Sequence, residues 1–306
     1  MTQSAHTAGN SEKPLSYASG VVLVILAGVF WSTMGLGIRN IHDANVWQIL
    51  LYRSCSLSAF LFVFIALRSH FTPLQTIRRS GIAGVIGAMG LVLAFSGGVY
   101  AIQTTTVANA MFLFAAAPFF AAVLGWIILR EKVRPATWVA TGVATLGVGI
   151  MVLDGISLGK AEGNIAALFS ALGFAIFTIA LRWGKLGNML PAVFLAGIFT
   201  LILSASICAL QGYSFQLTVN DASISVAMGV FQVGAGLAIY TIGSKVVPAA
   251  ELALLSMTEV FLGPVWVWLF LGETASLYTL LGGAVLLLAI AGNAMSGLRR
   301  RPAVIL

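Results

Sequence analysis

The sequence predicts an all-α membrane protein with ten transmembrane helices. Long apolar segments recur along almost the whole chain, only 8% of the residues are charged, and short polar connectors separate the segments. A helix of about twenty residues crosses a hydrocarbon core of roughly 30 Å. The ten predicted spans are Ala18–Ile38, Val46–Leu67, Ser80–Ala101, Thr105–Leu129, Ala136–Leu153, Gly163–Arg182, Met189–Gln211, Ala222–Gly243, Ala249–Leu271 and Leu277–Leu298.

The basic residues indicate how these helices are oriented. If the N-terminus is cytoplasmic, thirteen of the sixteen lysines and arginines fall on the inner side, and only Arg39 and Lys160 fall on the outer side. This bias follows the positive-inside rule and predicts that both termini face the cytoplasm. The formal charge of +7 then belongs to loops that contact anionic membrane lipids, and we expect no nucleic-acid partner.

The two halves of the chain match each other at an offset of 143 residues, or 142 after a slip of one residue. The matched pairs near helix ends are Gly20 with Gly163, Arg39 with Arg182, Asn45 with Asn188, Trp126 with Trp268, and Glu131 with Glu273. Because each half has five spans, the second half enters the membrane from the opposite face. This arrangement predicts a five-plus-five inverted repeat, which is common in alternating-access transporters. We expect repeats over residues 18–154 and 163–298, with a disordered cytoplasmic tail at 1–17 and a basic cytoplasmic tail at 299–306.

Two matched segments resemble a known family. Pro118-Phe-Phe-Ala-Ala-Val-Leu-Gly-Trp-Ile-Ile-Leu-Arg-Glu131 resembles the fourth-helix motif of EamA-type carriers in the drug/metabolite transporter superfamily. Glu259-Val-Phe-Leu-Gly-Pro-Val-Trp-Val-Trp-Leu-Phe-Leu-Gly-Glu273 resembles its counterpart in the second half. The chain departs from the family pattern at Val260, where proline is usual, and at Arg130, where glycine is usual.

This resemblance implies that both repeats are EamA-type and that the protein is a multi-pass carrier. Within the superfamily the chain is most similar to aromatic amino-acid exporters of the bacterial inner membrane, which also accept other neutral amino acids. No P-loop is present in the sequence, so we expect a gradient rather than ATP hydrolysis in this chain to drive transport.

Two charged residues inside the spans are candidate functional groups, since charges in a bilayer core are costly. Glu259 lies about 12 Å deeper along the ninth span than Glu251. Its carboxyl group could exchange protons with a gradient, attract a substrate ammonium group, or stay neutral and hydrogen-bonded between helices. Arg53 lies about 10 Å inside the second span. It could bind a substrate carboxylate, or pair with a protein acid or with carbonyl groups.

Aromatic and amide side chains form a second set of candidates. Trp31, Tyr100, Asn109 and Tyr240 could offer flat apolar walls and hydrogen-bond partners to an amino acid with a bulky side chain. Packing in the membrane core is the alternative role for Trp31 and Tyr100.

The motif acids Glu131 and Glu273 lie at the water boundary on opposite faces of the membrane. For these two carboxylates we expect a structural role, in which they tie helix ends to nearby donors.

The leading functional hypothesis is a secondary carrier that exports neutral and aromatic amino acids by alternating access and needs no cofactor. The alternative is an exporter of other metabolites, or of cationic drugs held by Glu259. A membrane-embedded lipid enzyme would need a reactive cluster, but His6, His42 and His70 fall in the tail or loops without metal-ligand spacing. A channel would need a filter loop or a ring of acids, and the sequence has neither. We therefore expect a transporter with no metal site and no enzymatic activity.

Overall fold

The computed structural model describes residues 16–69, 72–157, 159–247 and 249–298. The predicted tails, apart from Ser16 and Tyr17, lie outside these residues, as do His6 and His70. The described part of the chain is entirely helical, without strands. Its ten long helices are α1 (Tyr17–Arg39), α2 (Val46–Arg68), α3 (Gly81–Thr104), α4 (Val107–Leu129), α5 (Pro135–Ser157), α6 (Ala161–Trp183), α7 (Leu190–Gln211), α8 (Val219–Gly243), α9 (Ala249–Leu271) and α10 (Leu277–Leu298).

The prediction of ten apolar helices is confirmed. Within the described ranges, nine helices are long and apolar enough to span a membrane, and α9 contributes the shorter apolar stretch Met257–Leu271. A six-residue helix, Pro73–Arg78, connects α2 to α3 and was not predicted. It is too short to show an apolar period of its own.

Matched asparagines begin matched helices in the two repeats. The Asn45 side chain accepts hydrogen bonds from the backbone N–H groups of Trp47 and Gln48, and the Gln48 side chain accepts one from the Asn45 N–H. This capping box satisfies donors that the first turn of α2 leaves open. At the start of α7, Asn188 accepts from the Leu190 N–H at 3.0 Å. The sequence match therefore corresponds to a shared local structure.

The helices pack mainly across the two repeats, as an inverted repeat requires. Related contacts occur in pairs: α3 packs on α6 as α8 packs on α1, and α4 packs on α6 as α9 packs on α1. A third related pair joins α3 to α7 and α8 to α2. Equivalent helices also pack on each other, α2 on α7 and α5 on α10. Glycines permit close crossings, because a Cβ on Gly90 of α3 would lie 2.7 Å from the Gly173 carbonyl oxygen of α6.

Three helices are irregular within the bundle. α1 is interrupted at Thr33, and α4 is interrupted at Ala115 and Ala116, just before Pro118. Proline removes a backbone donor and clashes with the preceding turn, which explains the second interruption. In α8, residues Met228–Ala235 form a π-helical segment between two α-helical parts. Irregular backbone at membrane depth is tolerated where it is buried in protein or lines a cavity.

Candidate functional site

A cavity of about 290 Å³ lies between the two repeats, and we call it the central cavity. Its wall is largely apolar and is built from nine of the ten long helices, all except α5. It runs from Ile102, two residues before the end of α3, to Met189, which precedes α7 at the opposite end of the bundle. The polar side chains that line it are Arg53, Ser170, Gln232, Tyr240 and Glu259, and the aromatic ones are Trp31, Phe95, Phe114, Phe174, Phe177 and again Tyr240.

Arg53 brings a buried positive charge to this cavity. Its exposure is only 3%, and its Cζ lies 5.0 Å from the centre of the Phe95 ring. This geometry is a cation–π contact, which compensates part of the lost hydration. The Nη1 group is buried without a hydrogen-bond partner, and no acid among the described residues forms an ion pair with Arg53. A guanidinium nitrogen that has no partner among the described residues is satisfied when an anionic group of a solute reaches it.

Glu259 places a carboxylate on the wall that α9 contributes. It lies at the middle of α9, close to α1. The helices approach because Gly28 has no side chain, and a Cβ there would lie only 3.1 Å from Thr258 Cβ. Within the described part of the chain, the carboxylate has neither a hydrogen-bond donor nor an ion-pair partner. Arg53 and Glu259 thus place a basic and an acidic side chain on one cavity, and they form no ion pair with each other.

Trp31 and Tyr240 form an aromatic wall between α1 and α8. Their ring centres are 5.2 Å apart with a tilt of 45°. Gln232 of the π-helical segment lies beside them and donates through Nε2 to the Trp31 carbonyl oxygen at 3.4 Å. Sequence reasoning did not select Gln232, although a lone amide inside an apolar span was a visible signal.

Tyr100 and Asn109 do not line the central cavity in this structure. The Tyr100 hydroxyl donates to Glu162 at 2.8 Å, which joins α3 to the start of α6. Asn109 donates to Asn164 and borders a separate polar cavity of about 250 Å³ that also contains Asp154 and other side chains. Of the six candidates from the sequence, Trp31, Arg53, Tyr240 and Glu259 therefore meet around the central cavity.

The motif acids follow matching helix ends. The Glu131 N–H bonds the Gly125 carbonyl at 3.2 Å, and the Glu273 N–H bonds the Val267 carbonyl at 3.2 Å. Each of these bonds reaches back six residues along the chain. A helix that ends in this way places left-handed backbone at the residue just before the acid. Gly272 supplies it in the second repeat with a φ of +67°, and Arg130 takes it in the first with a φ of 53°.

Each motif acid forms an ion pair with an arginine of the other repeat. Arg39 Nε lies 2.7 Å from Glu273 Oε2, and Arg182 Nη2 lies 2.7 Å from Glu131 Oε1. The pairs are equivalent, since Arg39 matches Arg182 and Glu273 matches Glu131 in the sequence repeat. The expectation that these acids bind donors at helix ends is confirmed.

The two ion pairs differ in their surroundings. Arg39 also donates to the Thr105 carbonyl at 2.7 Å, and Glu273 also accepts from the Val107 N–H at 2.7 Å. Both side chains are mostly buried, at 25% and 19% exposure, next to a buried apolar cluster that includes Ile38. Arg182 and Glu131 are 52% and 39% exposed. The Arg39–Glu273 pair is therefore the more enclosed of the two.

No group of three or more His, Cys, Asp or Glu residues that could hold a metal ion occurs among the described residues. The central cavity offers a guanidinium group, a carboxyl group, an amide and aromatic surfaces for recognition of a solute.

Comparison with known proteins gives relatives whose names describe transporters. The human solute carrier family 35 member G1 is 23% identical over 92% of this chain and 79% of its own length. The pseudopaline exporter CntI of Pseudomonas aeruginosa is 23% identical over 89% of this chain and 94% of its own length. The uncharacterized transporter YwfM of Bacillus subtilis is 25% identical over 61% of this chain and 64% of its own length. Their names describe transport, and none of them specifies aromatic amino acids.

Structure comparison agrees on the fold. A solved crystal structure superimposes with a TM-score of 0.66 over 94% of this chain and 100% of the other, at 18% identity. The family model of the EamA-like transporter family matches residues 18–153 and again residues 161–295. The chain therefore belongs to the EamA-like transporter family, and it is a membrane transporter rather than an enzyme.

Proposed function

We propose that this transporter exports neutral amino acids, aromatic ones included, across the inner membrane of a bacterium. The observation that carries the proposal is the presence of Arg53 and Glu259, each without an ion-pair partner in the described part of the chain, on one largely apolar cavity. A neutral amino acid is a zwitterion, so its carboxylate complements Arg53 and its ammonium group complements Glu259. Opposite charges about 4 Å apart attract by about 4 kcal/mol at an effective dielectric constant of 20, which offsets part of their desolvation.

The size and the walls of the cavity support a small, partly apolar solute. Sites for drug-sized ligands usually enclose roughly 300–1,000 Å³, so a cavity of about 290 Å³ favours a single amino acid. The rings of Trp31, Phe95 and Phe174 offer flat apolar surface to its side chain.

Alternating access gives the two Arg–Glu pairs a function. Because the pairs are equivalent in the repeats, a rocking motion that exposes Arg39–Glu273 would bury Arg182–Glu131 in its place. By the positive-inside prediction, the Arg39 end faces outward and the described conformation is closed on that side. Export would then begin with loading of the central cavity from the cytoplasm.

A second candidate function is export of another metabolite or of a cationic drug. The relation to the pseudopaline exporter CntI and the unpaired Glu259 carboxylate favour this candidate. A purely cationic solute, however, would meet the like charge of Arg53 in the same cavity, whereas a zwitterion satisfies both groups.

The test is counterflow in proteoliposomes that contain the purified full-length protein, with labelled phenylalanine, leucine or a quaternary ammonium drug. We expect saturable counterflow of both amino acids. Arg53→Gln and Glu259→Gln should each reduce it about tenfold or more, as expected when one charge of a buried pair loses its partner.

Matched controls lie on the same helices. Arg68→Gln at the end of α2 and Glu251→Gln in the first turn of α9 remove the same charges outside the cavity. Arg68 is exposed, and Glu251 accepts from the Tyr17 hydroxyl outside the cavity, a bond for which glutamine keeps an acceptor oxygen. Both variants should therefore leave counterflow within about twofold of the unmodified protein. Absence of saturable amino-acid flux after verified insertion, or equal losses in the controls, would refute the proposal.

A further inference from the structure

Gln232 occupies an unusual backbone setting beside the central cavity. It lies inside the π-helical segment Met228–Ala235 of α8, opposite the interruption of α1 at Thr33. π-helical turns inside α-helices are rare and occur frequently at functional sites. Where the two irregular segments meet, the backbone carbonyl of Trp31 accepts a hydrogen bond from the Gln232 amide.

That hydrogen bond fixes the orientation of the amide group. Because Nε2 donates to Trp31, Oε1 must point the other way and can act only as an acceptor. Gln232 is 5% exposed, and its Oε1 is buried without a donor among the described residues. A buried acceptor without a partner is destabilising, and this cost disappears when a donor reaches it. Since Gln232 borders the central cavity, a bound solute is placed to supply that donor.

Close packing holds this part of α8 in place. A Cβ on Gly229 would lie 3.0 Å from the Leu57 backbone nitrogen of α2, and one on Gly236 would meet the Trp31 indole of α1. These glycines allow α8 to approach the two helices that carry Trp31 and Arg53. The position of Gln232 relative to the charged groups is therefore set by backbone contacts rather than by a flexible loop.

The geometry points to Gln232 as a specificity-determining residue that recognises N–H donors of the substrate ammonium group together with Glu259. This inference rests on the proposed function, since it assumes an amino-acid substrate in the central cavity. A primary ammonium group has three N–H donors, and a single carboxylate does not satisfy all of them in a fixed geometry. The Gln232 oxygen supplies a further acceptor. A trimethylated ammonium group has the same charge but no donor, so it leaves this oxygen unsatisfied.

The experiment compares L-phenylalanine, N-methylphenylalanine and N,N,N-trimethylphenylalanine as inhibitors of labelled phenylalanine counterflow by the full-length protein in proteoliposomes. We expect the inhibition to weaken as methyl groups are added, by about tenfold or more for the trimethyl compound. Gln232→Leu should weaken phenylalanine while it affects the trimethyl compound less, so that this preference falls about fivefold or more.

Two further variants keep the test informative if Gln232→Leu does not insert. Gln232→Met has a similar volume without an amide oxygen and should also lose the preference for phenylalanine over the trimethyl compound. Gln232→Glu keeps an acceptor and should retain it. The matched control is Gln103→Leu, because Gln103 also donates to a backbone carbonyl but does not line the central cavity. Its preference should stay unchanged.

The outcomes separate the two claims. If Gln232→Leu and Gln232→Met weaken all three compounds equally, Gln232 is only structural, and the inference is overturned while the proposed function stands. If the unmodified protein shows no saturable counterflow of labelled phenylalanine, the proposed function fails and this role of Gln232 fails with it.

Discussion

The Arg39–Glu273 pair should hold its end of the bundle closed, and Glu273→Gln tests this directly. The Glu273 carboxylate accepts from Arg39 at 2.7 and 3.3 Å and from the Val107 N–H at 2.7 Å. Hydrogen bonds to charged groups contribute about 1.5–3 kcal/mol when buried. Arg39 and Glu273 are 25% and 19% exposed, which reduces this contribution. The glutamine in Glu273→Gln also keeps one acceptor oxygen, which reduces the loss further. We therefore expect the closed state to lose about 2 kcal/mol, which is about a thirtyfold change in the equilibrium constant between the closed and open states.

The assay is labelling of a single cysteine by a membrane-impermeant maleimide. Ala101 suits this purpose, since it lines the central cavity near the Arg39 end and is fully buried. Ala101→Cys is placed in a chain whose native Cys55 and Cys208 are replaced, and reagent is added to vesicles of each orientation. Glu273→Gln should accelerate labelling from the Arg39 side by about tenfold or more.

The matched control is Glu131→Gln in the equivalent pair. Because Arg182 and Glu131 are about half exposed, their interaction is worth about 0.2–1 kcal/mol, and labelling from the Arg39 side should change less than about fivefold. Equal labelling rates in the unmodified protein and Glu273→Gln would show that the pair does not hold this end closed.

Two further predictions concern stability, measured as thermal unfolding of the purified protein in detergent. Asn45→Ala removes a capping box and should lower the free energy of unfolding by about 1–2 kcal/mol. Asn188→Ala removes a single bond from the residue before the N-cap Met189 and should have a smaller effect, so equal shifts would contradict the argument. Gly272→Ala should destabilise the protein by about 1 kcal/mol, because Gly272 has left-handed backbone that alanine adopts poorly. Arg130→Gly at the equivalent position should leave stability unchanged or raise it by about 0.5 kcal/mol, since glycine adopts this backbone freely. Destabilisation by Arg130→Gly would contradict the conformational argument.

The fold followed from the sequence because its signals are local. Apolar length gives the spans, and matched end residues such as Asn45 and Asn188 give the repeat. The ion pairs were only partly predictable. The sequence matched Arg39 with Arg182 and Glu131 with Glu273, but the choice of partner depends on contacts between distant helices.

The candidate site was harder to predict, since helices that are apolar on every side do not reveal which face meets a cavity. The depths of Tyr100 and Asn109 suited a central site, yet rotation of α3 and α4 directs them to Glu162 and Asn164. Gln232 depends on the π-helical segment of α8, which no periodic pattern in the sequence indicates.

The central claim is that Arg53 and Glu259 hold opposite ends of a zwitterion. The most direct measurement is inhibition of phenylalanine counterflow by phenethylamine, which lacks the carboxylate, and by phenylpropionate, which lacks the ammonium group. The unmodified protein should prefer phenylalanine to both. Arg53→Gln should no longer prefer phenylalanine to phenethylamine but should still prefer it to phenylpropionate. Glu259→Gln should no longer prefer phenylalanine to phenylpropionate but should still prefer it to phenethylamine. Variants that lose both preferences equally, or neither, would contradict the claim.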